Sequence, residues 1–220
     1  MRCVRLPNRV ETSDIHILCR FIGGVRPVSA LLDVEVPEVI ADQLRTESFI
    51  LTLSNLRTEF DGETWTPYRE LLVKIPVTMG GEDHTYPIRT FVDHELSVVR
   101  GYQLGFDKHF SSCIPAVQDA RWTFSMESLD VDVSLWDAPE AQGEAPRMAV
   151  PPVVTVIQTP DGRRRPEIHR LNVEDVHDRP DLSVGVTAGS GTGILSGHPF
   201  ELVAVASSAS GFTLCGSIPL

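Results

Sequence analysis

Lysine is almost missing from this chain. Of its 19 basic residues only Lys74 and Lys108 are lysines, and the rest are arginines. A guanidinium keeps its proton and cannot condense with a ketone, so each surviving lysine marks a position where a primary amine is wanted. Cysteine is scarce as well. Cys3, Cys19, Cys113 and Cys215 are scattered without a C-x-x-C spacing, which excludes a disulfide or zinc framework and predicts reduced, mostly buried thiols. His84, His94 and His109 fall on different predicted elements and match no ligand spacing, so no metal and no cofactor is expected. No apolar run approaches the roughly 20 residues of a spanning helix. Met1-Arg2-Cys3-Val4-Arg5 is not followed by the apolar stretch of a signal peptide, and a cytoplasmic protein without a membrane partner is expected. Positive charge is in deficit too: a net charge of −11 with pI near 5.0 repels nucleic acid and anionic lipid, leaving a small molecule as the expected partner. Gly189-Ser190-Gly191-Thr192-Gly193 lacks the G-K-[ST] of a phosphate loop and is read as an ordinary loop.

What is present is a β-type pattern over 220 residues, 42% of them hydrophobic, enough for one continuous core and one domain over 1–220. Asp14 to Arg20 and Ser48 to Leu56 alternate as strands, with short helices expected at Pro27 to Leu32 and Pro37 to Leu44 between them. Tyr68 to Val77, the turn Met79-Gly80-Gly81 and Thr85 to Val92 form a hairpin. Asp93 is read as the N-cap of a helix through Gln103 that packs on the sheet through Leu96 and Val99. Trp122 to Trp136 supplies one or two strands, and Asp137 to Pro152 is a proline-rich loop. Val153 to Gln158 and Glu167 to Val173 flank the turn Thr159-Pro160-Asp161-Gly162, with Arg163, Arg164 and Arg165 as a solvated tip. Phe200 to Ala206 and Phe212 to Ile218 are two closing strands. Many short strands with few helices predict a mainly-β (α+β) antiparallel cone or barrel.

One constellation is chemically specific. Tyr68-Arg69-Glu70, Ile75-Pro76-Val77, Gly80-Gly81, Phe91-Val92-Asp93, Gly101-Tyr102-Gln103 and Gly105-Phe106-Asp107-Lys108-His109 follow one another in order. This series resembles the acetoacetate decarboxylase family, whose chains show Y-x-E, an I-P-V strand, a glycine turn, an aromatic-x-D, G-R-E and G-x-P-K-K. From Tyr68 through Gly101 the alignment needs no gap, and one residue is missing between Gly101 and Gly105. Fainter echoes, among them Ile17-Leu18-Cys19-Arg20 and the closing run from Phe200 to Ser208, extend it over nearly the whole chain.

The resemblance implies a cone of the acetoacetate decarboxylase type, commonly a homo-oligomer, and a Schiff-base-forming lyase acting on a keto acid. Lys108 stands at the imine position and Glu70 at the pocket acid. Such a lysine must be neutral near pH 7, which burial and a nearby cation favour. Tyr68, Phe106 and His109 are expected around the substrate, and Arg89 is a candidate clamp for its carboxylate. The departures are informative. His109 replaces the second lysine, Asp107 the proline and Gln103 the glutamate; only Ser54 or Asn55 stands near the family's additional pocket glutamate, and its N-terminal arginine has no aligned match, Arg9 being merely close. These leave imine formation intact and turn the expectation from acetoacetate towards decarboxylation, aldol, dehydration or cyclisation chemistry on a larger keto acid. The alternative is a non-catalytic or non-covalent small-molecule-binding protein of the same kind, such as a biosynthetic cyclase, in which Lys108 is only a cation for an anionic ligand.

Overall fold

The computed structural model describes residues 6–32, 35–60, 64–117, 120–136, 151–157 and 166–220. Met1 to Arg5, residues 137–150 of the proline-rich loop, and the Thr159-Pro160-Asp161-Gly162 turn with its three arginines lie outside the described residues. The strands are β1 (Asn8–Phe21), the short pair β2 (Arg26–Pro27) and β3 (Arg45–Thr46), β4 (Ser48–Glu59), β5 (Trp65–Met79), β6 (Glu82–Val92), β7 (Lys108–Phe110), β8 (Arg121–Met126), β9 (Leu129–Trp136), β10 (Val154–Ile157), β11 (Glu167–Asp178), β12 (Ala188–Leu195) and β13 (His198–Pro219). The helices are a single turn α1 (Glu38–Ala41) and α2 (Glu95–Gln103), with 3-10 turns at Ser29–Leu31 and Pro180–Leu182. No helix among the described residues is long and apolar enough to cross a membrane.

The expected mainly-β architecture is present as one large sheet in the order β7-β6-β5-β4-β1-β13-β12-β9-β8, antiparallel throughout except that β7 runs parallel to β6. The long strand β13 makes the sheet fork. One of its edges pairs with β1 from Phe200 to Leu214, while the other pairs with β12 at its start and with β11 towards its end. β11 carries β10, and a parallel bridge between Val153 and Thr85 returns to β6. Among the described residues β6, β5, β4, β1, β13, β11 and β10 thus follow one another around a ring.

This ring explains the alternation in the first strands. Ile15, Ile17 and Cys19 of β1, Phe49, Leu51 and Leu53 of β4, and Leu71, Val73 and Ile75 of β5 all point into the main core. The intervening residues point into the ring, where Thr12, His16, Thr52, Ser54, Glu70 and Lys74 are buried as well and Asp14 is half-buried. Both faces of these strands are therefore covered, one by apolar side chains and the other by a polar cavity.

Three expectations are corrected. Gly189 to Gly193 is part of β12, not a loop: a Cβ at Gly191 would sit 2.6 Å from Val133 Cγ1 and one at Gly193 2.4 Å from Phe200 Cζ, so the glycines make room for side chains of their neighbours. The closing segment is one strand of 22 residues, β13, since Ser207 to Gly211 keep pairing with β1. Helix α2 is capped at His94, while Asp93 instead accepts the backbone N–H of Arg69 at 2.6 Å and its Nε at 2.8 Å. Its buried face is Ser97, Arg100 and Gly101; Val99 is exposed, and Leu96 packs only part-buried beside Phe60 and Tyr68. The helix closes a polar cavity, so its inward stripe is polar.

Candidate active site

Helix α2 and the turn after it place Lys108. The helix ends in a Schellman motif: Phe106 N–H donates to Gly101 O at 2.9 Å and Gly105 N–H to Tyr102 O at 3.4 Å, with Gly105 at φ +78°. The chain then turns into β7, where Lys108 lies beside Thr90. The lysine stem passes directly over Gly101, where a Cβ would fall 2.4 Å from Lys108 Cδ. A glycine in mid-helix costs about 1 kcal/mol relative to alanine, and here it leaves the space that the stem occupies.

The amine arrives at Glu70 on β5. Lys108 Nζ donates to Glu70 Oε1 and, at 3.0 Å, to Ser97 Oγ, whose hydroxyl donates to the same Glu70 oxygen at 2.8 Å. Phe106 supplies an apolar wall, its ring centroid 5.3 Å from Nζ. Burial pushes the Lys108 amine below the usual lysine range; Glu70 opposes this, and the Arg100 guanidinium reinforces it. Arg100 is buried over the ring of Phe60 at 4.7 Å and donates to Tyr68 Oη, to Thr58 Oγ1 at 3.1 Å and to Asn8 Oδ1 at 3.3 Å. Burial pushes the Tyr68 phenol above the usual tyrosine range, so it stays protonated.

These groups open onto a cavity of about 390 Å³ inside the ring of strands. Of the expected site residues, Lys108, Glu70, Tyr68 and Phe106 line it together; Arg89 and His109 do not. The pleat gives the reason. Thr90 pairs with Lys108 and Phe91 with His109, so Arg89 and His109 share the opposite parity and project to the other face. There Arg89 donates to Leu31 O at 2.6 Å and meets Glu127 at 3.2 Å, while His109 Nε2 lies 2.9 Å from Asp107 Oδ1. The cation beside the amine is Arg100.

The cavity also holds Asp14 and His16, which the sequence did not single out, and Lys74, which it noted only as one of two lysines. Asp14, Ser54 and Glu70 form one row across β1, β4 and β5. The acid sought near Ser54 or Asn55 therefore stands one strand away, with Asp14 accepting from Ser54 and, at 2.7 Å, from Thr12. Burial raises the Asp14 carboxyl above the usual aspartate range. His16 is held between Thr52 Oγ1 at 3.0 Å and Ser208 Oγ at 3.1 Å, and burial with the nearby Lys74 pushes it down to about 3, so the ring is neutral. Lys74 itself, 3% exposed, lines the same cavity, and burial pushes it down to about 8 against the pull of Asp14. Both lysines of the chain thus open onto one space. The available signal was the pattern of Thr12, Asp14, His16 and of Glu70, Leu72, Lys74 at a spacing of two, which reads equally well as a solvated strand face. Among the described residues no group of histidine, cysteine and carboxylate side chains is arranged to hold a metal.

No family model and no curated protein sequence matches the chain. Solved structures do. The enduracididine biosynthesis enzyme MppR superposes with a TM-score of 0.60 at 14% identity, over 97% of this chain and 87% of that one. An acetoacetate decarboxylase-like enzyme from Sphingomonas wittichii RW1 gives 0.59 at 14% identity, over 99% and 94%. The acetoacetate decarboxylase of Legionella pneumophila gives 0.53 at 15% identity, over 97% and 87%. Across nearly its whole length, then, the chain has the fold of acetoacetate decarboxylase and the acetoacetate decarboxylase-like enzymes, the fold that the motifs from Tyr68 to Lys108 implied.

Proposed function

We propose that this protein is a Schiff-base-forming lyase of the acetoacetate decarboxylase family, acting on a keto acid through an imine on Lys108. The observation that carries this reading is the Lys108-Ser97-Glu70 triangle, buried against Phe106 at the wall of the cavity. Glu70 can take a proton from the Lys108 ammonium, leaving a neutral amine to attack the substrate carbonyl carbon. The same carboxyl then returns the proton to the carbinolamine oxygen, which leaves as water. The resulting iminium faces a carboxylate and has an apolar wall on its other side. It accepts the electron pair released from an adjacent carbon, as carbon dioxide departs from a 3-keto acid or as a proton departs before an aldol or dehydration step.

Lys108, not Lys74, is the nucleophile in this reading, because the hydrogen-bonded carboxyl and hydroxyl needed for the proton transfers adjoin Lys108. Support for a keto acid comes from the structural relatives: MppR has been seen with pyruvate bound and with the condensation product of pyruvate and imidazole 4-carboxaldehyde. A single domain over 1–220, a homo-oligomer and a cytoplasmic setting complete the proposal; sedimentation of the full chain reads the assembly.

The test is borohydride trapping with pyruvate and with a series of 3-keto and longer keto acids, followed by peptide mapping. Intact mass alone is insufficient, since two amines share the cavity. A reduced adduct on Lys108, absent from Lys108→Arg and retained by Lys74→Arg, is expected. An adduct on Lys74, or undiminished turnover by Lys108→Arg, would overturn the assignment.

A further inference from the structure

Lys74 has no part in the proton transfers at Lys108, yet its burial demands an explanation. Its side chain is 3% exposed and faces the cavity. Among the described residues its Nζ has no hydrogen bond and no ion pair within 4.0 Å. The neighbours that could have served are occupied: Asp14 accepts from Thr12 and Ser54, and both ring nitrogens of His16 face hydroxyls. An ammonium buried without a partner is costly, and here it lines a cavity that an anionic ligand could enter. Lys108 Nζ is held by Glu70 and Ser97, and Lys74 has neither as a partner, so the two amines occupy different places in one cavity. Glu70 and Lys74 lie on the same face of β5 four residues apart, roughly 13 Å along an extended strand. Leu72 stands between them on β5, and Leu104, Phe106 and Leu214 are further apolar side chains lining the cavity.

We propose that Lys74 anchors a substrate carboxylate remote from the ketone that Lys108 engages, so that the substrate is a keto acid with an apolar chain between its two functional groups. This rests on the imine reading for the ketone end only. The carboxylate would take hydrogen bonds from Nζ, and the chain would lie along Leu72 and Phe106. The other titratable groups facing Lys74 are Asp14 and His16 from β1 and Glu70 from β5. Of these His16 is neutral above about pH 3, and Asp14 is shifted towards its uncharged acid. The anchor loses its charge as pH rises through about 8.

Half-saturation of the borohydride-trapped Lys108 adduct, compared between 7-oxooctanoate and its methyl ester, reads the anchor. In the wild-type protein at pH 7 the acid should be preferred by about 10-fold or more, the scale of one charge-assisted hydrogen bond. The preference should survive Lys74→Arg, shrink to within about twofold in Lys74→Met, and fade in the wild type as pH passes above 8. Equal half-saturation of acid and ester in the wild type overturns the proposal, as does a preference undiminished in Lys74→Met. Should that variant not fold, the wild-type ratio across pH decides alone. If no ketone yields an adduct on Lys108, the imine reading fails separately, and calorimetric titration with octanoate still tests the anchor. Binding weakened about 10-fold in Lys74→Met supports it. No binding to the wild type, or equal binding by both proteins, overturns it.

Discussion

Glu70 and burial pull the Lys108 amine in opposite directions, since the carboxylate favours the ammonium while the dry cavity and Arg100 favour the free amine. Replacing Glu70 by glutamine removes the opposing pull, so the Lys108 pKa falls further and the acid limb of the trapping-rate profile should move to lower pH. The rate on the plateau should nevertheless drop by roughly 10² to 10⁴, because the group that protonates the departing water in the proposed mechanism is gone. A limb that moves to higher pH would remove Glu70 from this role. Ser97→Ala breaks one bridge of the triangle and should cost less than Glu70→Gln in the same assay, with the position of the limb as the second readout.

At the scale of the element, α2 is a lid, and the glycine within it and the one just after it have different duties. Gly101 leaves room for the lysine stem, and a methyl group there would overlap Lys108 Cδ and Cγ. Gly101→Ala is therefore expected to cost roughly 1–3 kcal/mol by overpacking and to displace the amine from Glu70. Chemical denaturation gives the first quantity, and loss of the Lys108 adduct in a protein that still folds gives the second. Gly105 is a backbone requirement, with positive φ and a would-be Cβ 2.6 Å from Val156 O. Gly105→Ala should lower stability by at least about 1 kcal/mol. Its effect on trapping should follow the loosening of the helix end that sets where β7 begins.

For the whole molecule, a cavity lined with titratable groups makes stability depend on pH. Lys74 is at about 8 when folded against 10.5 for a free lysine. Between those values the unfolded chain holds more protons, so stability should rise as pH goes from 8 to 10.5. The rise would be at most roughly 3–4 kcal/mol for an undisturbed site. His16, at about 3 against 6.5, acts in the same sense at lower pH: its contribution is whole above 6.5 and is lost as pH falls from 6.5 towards 3. Denaturation midpoints across pH should show both slopes. Lys74→Met should weaken the alkaline one, leaving the part that the depressed Lys108 amine contributes in the same sense, and stabilise the protein at pH 7, because a buried charge has been exchanged for a side chain of similar length. An alkaline slope undiminished in Lys74→Met would assign it to another group.

The order of motifs from Tyr68 to Lys108 and the period of two in β1, β4 and β5 sufficed for the mainly-β class, the Gly80-Gly81 hairpin and the singling out of Lys108 and Glu70, because these depend on local spacing and on residue chemistry. Tertiary structure alone decided what lies on the second face of those strands. Alternation tells which residues share a side, not whether that side meets water or a cavity, so the cavity around Asp14, His16 and Lys74 became visible only where β10, β11 and β13 close the ring around them. The same limit governed α2, whose inward stripe of Ser97, Arg100 and Gly101 has no apolar signature because it covers polar groups. It governed Arg89 and His109 too: their chemistry suited a substrate site, but the parity of β6 and β7 turned them to the opposite face. Side-chain chemistry and spacing are written along the chain, whereas which polar groups share a desolvated space depends on strands brought together from its two ends.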